Sequence, residues 1–142
     1  MNVKDELGKI VNHVHRSLFT MTSGRIGGQV MGMEALVLTT TGRRSGEPRR
    51  NMLTTPIVET NRLVLVASWG GDDRHPQWFL NVRANPDVEI TRAGETRAYR
   101  AREATAAERA ELWPRVVDTY KGYGGYQTKT EREIPLVICE RV

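Results

Sequence analysis

The chain has 142 residues, 39% hydrophobic and 27% charged, which is one ordinary domain with enough apolar side chains for a core and excludes a disordered tail, a collagen-like fibre and a disulfide scaffold. No window approaches the roughly 20 apolar residues of a membrane-spanning helix, and the charged opening from Met1 to Ile10 is no secretory signal. The net charge of +4 is carried mostly by arginine, but basic and acidic residues are interleaved and no nucleic-acid motif is present, so a nucleic-acid partner is not expected.

Residues 5–19 predict an amphipathic helix, with Leu7, Ile10, Val11, Val14 and Leu18 on one face. Such a helix packs on the domain or, given its basic flank, lies against a membrane surface. The stretch from Thr22 to Gly28 predicts a flexible joint. Residues 1–32 are therefore assigned to an N-terminal helix and linker, and 33–142 to the main domain. Strands are expected over 35–41, 49–59, 62–68, 88–92, 96–103 and 134–140, with Pro56 breaking the second as at an edge or bulge. Thr60-Asn61 and Ala93-Gly94 mark tight hairpins, the first relying on the tolerance of Asn61 for left-handed backbone. A short helix is expected from Pro76, at the first helical position, to Ala84, with Trp78, Phe79 and Val82 inward. A second is expected from Ala106 to Tyr120, opened by a capping box at Thr105 and Glu108. Its buried face holds Leu112, Trp113, Val116, Val117 and Tyr120, and Pro114 is a point of kinking. About six mostly antiparallel strands joined by short turns, with flanking helices, predict an α+β, mainly β fold, an antiparallel barrel or curved sheet.

Three segments carry residues suited to binding. The first is a strand ending in Thr39-Thr40-Thr41, a turn bounded by Gly42 and Gly46 that holds Arg43, Arg44 and Ser45, and a second strand opening with Arg49 and Arg50. Turn N–H groups, hydroxyls and guanidiniums make an anion site for phosphate or carboxylate; the alternative is a solvated polar hairpin. The second segment ends a buried strand in Ala67-Ser68-Trp69-Gly70-Gly71 and starts a helix at Pro76-Gln77. Helix-start N–H groups there can meet an anion or carbonyl, and Trp69 offers a flat apolar wall to a ring system. Trp78 and Phe79 read as core, and His75 as a helix-start residue. The third segment repeats Tyr120, Tyr123 and Tyr126 every three residues in a Gly-rich stretch. It reads as a surface loop presenting aromatic faces and hydroxyls to a planar polar ligand. No metal-ligand spacing is present, Ser68 has no visible base, and Cys139 lies in an apolar run, as a buried thiol of a reducing compartment does. A site for a planar anionic ligand without side-chain catalytic machinery suits an enzyme whose cofactor supplies the chemistry.

Thr39-Thr40-Thr41-Gly42-Arg43-Arg44-Ser45-Gly46 with Arg49, then Ser68-Trp69-Gly70-Gly71, His75-Pro76-Gln77-Trp78-Phe79-Leu80-Asn81, Ala84-Asn85-Pro86 and Ile134-Pro135, resembles the deazaflavin-dependent nitroreductase family, the A-type flavin/deazaflavin oxidoreductases of actinobacteria. The resemblance runs from about residue 33 to residue 142 and implies a split β-barrel that binds coenzyme F420, a deazaflavin with a phospholactyl-oligoglutamate tail. It implies that Arg43, Arg44, Ser45 and Arg49 face the phosphate and glutamate tail. It further implies that Met52, Leu53, Thr54, Ala67, Ser68, Trp69, Gly70 and Gly71 line the deazaflavin ring, with Pro76, Gln77 and Trp78 shaping the pocket. Tyr120, Tyr123, Tyr126 and Thr54 match positions around the substrate, and Ser68, Tyr123 and Tyr126 become candidates for orienting it or supplying a proton. The chain departs at Thr54, Trp69 and Gln77, where the nitroimidazole-activating member has Tyr, Lys and Met. The implied activity is F420H2-dependent hydride transfer to a quinone, a nitroaromatic, or an activated enone or lactone such as a coumarin or aflatoxin. The alternatives are an F420-sequestering carrier without turnover and an FMN-dependent split-barrel enzyme, for whose single phosphate four arginines are more than enough. The expected partner is a small-molecule acceptor, the expected state a monomer or weak homodimer, and the expected location cytoplasmic, with peripheral membrane contact through the N-terminal helix as the variant.

Overall fold

The computed structural model describes residues 29–142; the helix expected over 5–19 and the joint over 22–28 lie outside the described residues. The strands are β1 (Gln29–Val30), β2 (Met33–Thr41), β3 (Pro48–Thr55), β4 (Ile57–Val58), β5 (Arg62–Val66), β6 (Asp87–Arg92), β7 (Glu95–Glu103) and β8 (Leu136–Arg141). Every pairing is antiparallel, in the order β1-β2-β6-β7-β8-β5-β4, with β3 along the other edge of β2. The helices are α1 (Gln77–Ala84), α2 (Ala106–Thr119) and α3 (Gly122–Thr128), and a 3-10 turn spans Trp69–Gly71. The sheet curls into the half-barrel of a split-barrel α+β fold.

Strand periodicity divides the apolar residues between two cores. Leu36, Leu38, Leu63, Leu65, Ile90 and Val137 turn inward and pack with Trp78, Phe79 and Val82 of α1. Val64, Val66, Leu136 and Ile138 turn outward and pack under Leu112 and Val116 of α2 and Tyr123 of α3. β5 and β8 are thus buried on both faces, which is why residues 62–68 read as an unbroken apolar run. Trp78 and Phe79 meet edge to face at 6.3 Å, and both are core, as expected.

Eight strand segments stand where about six were expected, and the two additions are short. β1 reaches β2 through Met31 (φ 55) and Gly32 (φ 75), a two-residue turn with both φ positive but without the usual Asn or Asp signal. β4 is separated from β3 at Pro56, where the buried Thr55 hydroxyl donates to Val64 O at 2.8 Å and to Ile57 O at 3.1 Å and so fixes the corner. Ala93 (φ 49) and Gly94 (φ 80) form the expected hairpin. The left-handed backbone expected at Asn61 is absent; a four-residue turn from Glu59 to Arg62 is closed instead by Glu59 N–H donating to Arg62 O at 2.8 Å.

The helix expected from Pro76 begins one residue later, with extended Pro76 (φ −61, ψ 148) as its N-cap. The capping box of α2 is present: Glu108 N–H donates to Thr105 Oγ1 at 3.2 Å, and Thr105 N–H to Glu108 Oε1 at 2.9 Å. Pro114 sits inside one continuous helix. Trp113 is only half-buried, with the Arg109 guanidinium 4.4 Å over its ring. The largest correction concerns residues 122–128, read as a surface loop and folded as α3. Among the described residues no helix is long and apolar enough to cross a membrane, and no cluster of His, Cys, Asp and Glu could hold a metal.

Candidate active site

β3, the turn at Trp69–Gly71, the start of α1 and α3 enclose a cleft of about 570 Å³. Met52, Leu53 and Thr54 come from β3, Ser68, Trp69 and Gly70 from the turn, and Pro76, Gln77 and Trp78 from the start of α1. Tyr120, Tyr123 and Tyr126 close the far wall. Two expected lining residues lie behind that surface. Ala67 is fully buried in the inner core, and Gly71 is buried where a Cβ would meet Tyr126 O at 2.7 Å.

The tyrosines lean on one another at right angles rather than in stacks. Tyr120 and Tyr123 have centroids 5.1 Å apart at 89°, and Tyr123 and Tyr126 6.1 Å apart at 76°. Tyr123 Oη shares a hydrogen bond with Thr54 Oγ1 at 3.1 Å and lies 3.6 Å from Met33 Sδ. Burial pushes its hydroxyl above the ordinary tyrosine range, the Thr54 bond works the other way, and Tyr120 adds to the rise. Tyr123 is thus a neutral donor at physiological pH. Tyr120 and Tyr126 share a longer hydroxyl contact at 3.4 Å, which raises the Tyr120 pKa first, with desolvation next. Ser68 is buried, and its hydroxyl has no protein partner among the described residues.

A second cleft, of about 410 Å³, adjoins the first, and Asn51, Gln77 and Trp78 line both. Arg43, Arg44, Ser45, Arg49 and Arg50 line it. The turn is closed by Gly42 N–H donating to Glu47 O at 2.7 Å and Gly46 N–H to Gly42 O at 2.8 Å. Gly46 has φ 73, so the turn itself favours glycine there, and a Cβ on Gly42 would displace the Ser45 hydroxyl and crowd Glu47 O at 3.2 Å. Arg43 is held rigidly: its backbone N–H and Nη1 donate to Asn81 Oδ1 at 3.2 and 3.0 Å, and Nη2 donates to Gln77 Oε1 at 2.7 Å. Asn81 is oriented in turn by donating to Thr40 Oγ1 at 3.2 Å. Arg49 donates to Ser45 Oγ at 3.2 Å and faces Glu47 at 3.6 Å. Arg44 and Arg50 have no carboxylate within ion-pair distance among the described residues. The cleft therefore carries more positive charge than its own acids balance.

Sequence reasoning placed Arg50 in the anion-binding segment without giving it a cofactor contact, and it missed Asn81, together with Asn51, Val30, Met31, Met33, Ala35 and Val66 of the lining. Arg50 had a signal, since it stands beside Arg49 at the mouth of the same turn. Val30 and Met31 had none, because their place follows from the unsignalled β1 hairpin. His75 lies away from the cleft wall, against Arg132.

A half-barrel with an apolar, aromatic chamber beside a cationic cleft is the arrangement of a flavin-type oxidoreductase. The donor set fits a deazaflavin with an anionic tail: flat apolar walls for the rings, and guanidiniums in surplus for phosphate and carboxylates. The chain matches the family model described as F420H(2)-dependent quinone reductase over residues 11–141. An F420H(2)-dependent quinone reductase of Mycobacterium tuberculosis is 36% identical over 132 residues, spanning 90% of this chain and 88% of the relative. The solved F420-H2 dependent reductase FDR-A is 40% identical, with a TM-score of 0.68 over 75% of this chain and 93% of that one. A further solved structure, described as a domain-swapped dimer, is 34% identical, with a TM-score of 0.70 over 94% of this chain and 98% of that one. The chain belongs to the F420H(2)-dependent quinone reductase family and is an oxidoreductase that uses coenzyme F420.

Proposed function

We propose that this enzyme reduces a quinone-type acceptor held in the apolar cleft, with the arginine-lined arm holding the cofactor tail. The carrying observation is that the two clefts adjoin, with Asn51, Gln77 and Trp78 lining both, which supports one molecule placing rings in the first and an anionic tail in the second. When bound, the reduced deazaflavin supplies a hydride. Arg44, Arg49 and Arg50 bind tail anions, and Arg43, already fixed by Asn81 and Gln77, presents a preorganised guanidinium. Trp69 and Trp78 wall the chamber and exclude water. The Ser68 and Tyr123 hydroxyls donate to the oxygen on which negative charge grows, and Tyr126 stands next to Tyr123 as the alternative proton source. Thr54, the partner of Tyr123 Oη, sets the direction of that donor.

The resemblance of the relatives named as quinone reductases supports the quinone among the electron-poor acceptors considered. A homodimer belongs to the same proposal, supported by the relative described as a domain-swapped dimer. The membrane contact considered for residues 5–19 concerns a segment outside the described residues.

The test is a fluorescence titration with oxidised F420 and with FMN, followed by turnover of F420H2 with a short naphthoquinone. Tight F420 binding, weak FMN binding, a loss of F420 affinity of at least about tenfold in Arg43→Ala/Arg44→Ala, and quinone-dependent oxidation are expected. Preference for FMN would refute the cofactor assignment. Tight F420 binding with no acceptor-dependent oxidation would favour the carrier.

A further inference from the structure

We infer that Arg132, which no motif singles out, is the positioning residue of the loop facing the cofactor. Its guanidinium is a clamp that holds Ser68, Trp69 and Gly70 in place from behind. Arg132 lies in the link between α3 and β8. Its Nε donates to Asp72 O at 2.8 Å, its Nη2 to Ser68 O at 2.8 Å and its Nη1 to Ala67 O at 3.2 Å. Nη1 also faces His75 Nδ1 at 3.2 Å. Arginine keeps its protons at any physiological pH, so this ring nitrogen is the acceptor and the imidazole proton sits on Nε2. One planar group thus joins acceptors from both ends of the loop, 67–68 and 72–75.

No direct salt bridge explains the place of this cation, and Asp72 and Asp73 favour it only at longer range. Among the described residues no carboxylate lies within ion-pair distance of Arg132, and the nearby Asp72 carboxylate is taken by Arg74 at 3.1 Å. A partly buried guanidinium without a salt bridge is costly unless charge-assisted bonds to fixed acceptors offset its desolvation. The loop supplies the need for such bonds. Trp69, Gly70 and Gly71 have φ of 43, 64 and 85, three consecutive left-handed residues of which the first is a tryptophan. Backbone of this kind persists only where its surroundings over-determine it. The Trp69 ring is half-exposed at the cleft, with the Arg74 guanidinium 5.0 Å from its centroid, so the hold on this residue falls largely on its main chain.

Gly71 is the second anchor, pressed against Tyr126 O and Lys129 Cβ. Because Arg132 follows α3, the clamp also fixes the spacing between the loop and the helix bearing Tyr123 and Tyr126. The two walls of the cleft then move as one. This inference rests on the cofactor cleft proposed above, but its first readout needs no cofactor.

The experiment compares the full chain with Arg132→Met and Arg132→Lys. Arg132→Lys keeps charge and stem, and carries the test if the Met variant does not fold. Hydrogen–deuterium exchange without cofactor is expected to accelerate about tenfold or more at amides 67–75 while β2, β6 and β7 stay protected. F420 affinity is expected to fall about tenfold or more in both variants, because one ammonium cannot span acceptors at both loop ends, and millimolar guanidinium is expected to restore part of it in Arg132→Met. Unchanged exchange at 67–75, or F420 affinity within about twofold of the parent in both variants, would overturn the clamp. If the parent chain itself binds no F420, the cofactor reading fails, and the exchange data still decide whether Arg132 orders the loop.

Discussion

His75 lies between charges from three elements: Arg132 ahead of β8, Arg83 on α1 and Glu103 on β7, with its ring 4.9 Å from that of Phe79. Burial, then Arg132, then Arg83 hold its pKa below the usual histidine value, and Glu103 opposes them. In the unfolded chain the imidazole takes up a proton first as pH falls. The His75 contribution to stability is therefore full above about pH 6.5, declines as pH drops below that value, and levels off below the depressed folded pKa. His75→Asn offers an oxygen acceptor that does not titrate. Denaturant unfolding between about pH 8 and about pH 5 is expected to give a shallower decline in this variant than in the parent, and equal slopes would count against a depressed His75 pKa in the folded chain. The contrast with Arg43 shows what sequence discloses at this scale. Arg43 was legible because its turn is bracketed by Gly42 and Gly46 and crowded with like residues. Arg132 was not, because its partners are backbone carbonyls some sixty residues away, and a carbonyl leaves no mark in a sequence.

At the scale of the element, α3 is the instructive case. Gly122, Gly124 and Gly125 in seven residues argue against a helix, since each costs about 1 kcal/mol relative to alanine. Tertiary packing overrides that cost. A Cβ on Gly122 would run into the Tyr120 ring at the end of α2, so this glycine lets α3 start close on α2, whereas one on Gly124 would make ordinary contact with Val117 Cγ1 at 3.4 Å. The three-residue spacing of the tyrosines was the helical signal, and composition hid it. Two substitutions separate the roles of glycine. Gly125 has nothing within 4 Å of its Cβ position and no positive φ, so Gly125→Ala is expected to stabilise by about 0.4–1 kcal/mol. Gly71→Ala meets Tyr126 O and a φ of +85, and is expected to destabilise by more than about 1 kcal/mol and to weaken F420 binding. Urea midpoints for the two variants, with F420 titrations, check both signs.

For the whole molecule, Glu47, 3.6 Å from Arg49, is among the described residues the one acid within ion-pair distance of the four arginines at the turn, so tail binding is expected to be strongly electrostatic. Raising salt from about 0.1 M to about 1 M shortens the screening length from about 10 Å to about 3 Å. F420 affinity is expected to fall steeply over that range, more than FMN affinity, and an F420 affinity indifferent to salt would place the tail elsewhere. The mainly antiparallel fold was legible because most turns are short and the strands alternate. The closing of the barrel was not, because it depends on β5 finding β8. That pairing sets Val66 against Leu136, with α1, β6, β7, α2 and α3 between them in the chain. Until β8 arrives, β5 is a strand with apolar side chains on both faces and an open hydrogen-bonding edge, the kind of surface on which folding intermediates of different molecules join. The same burial on both faces that makes β5 the common wall of both cores thus makes it the strand whose wait for a distant partner slows folding and leaves two chains open to exchanging parts.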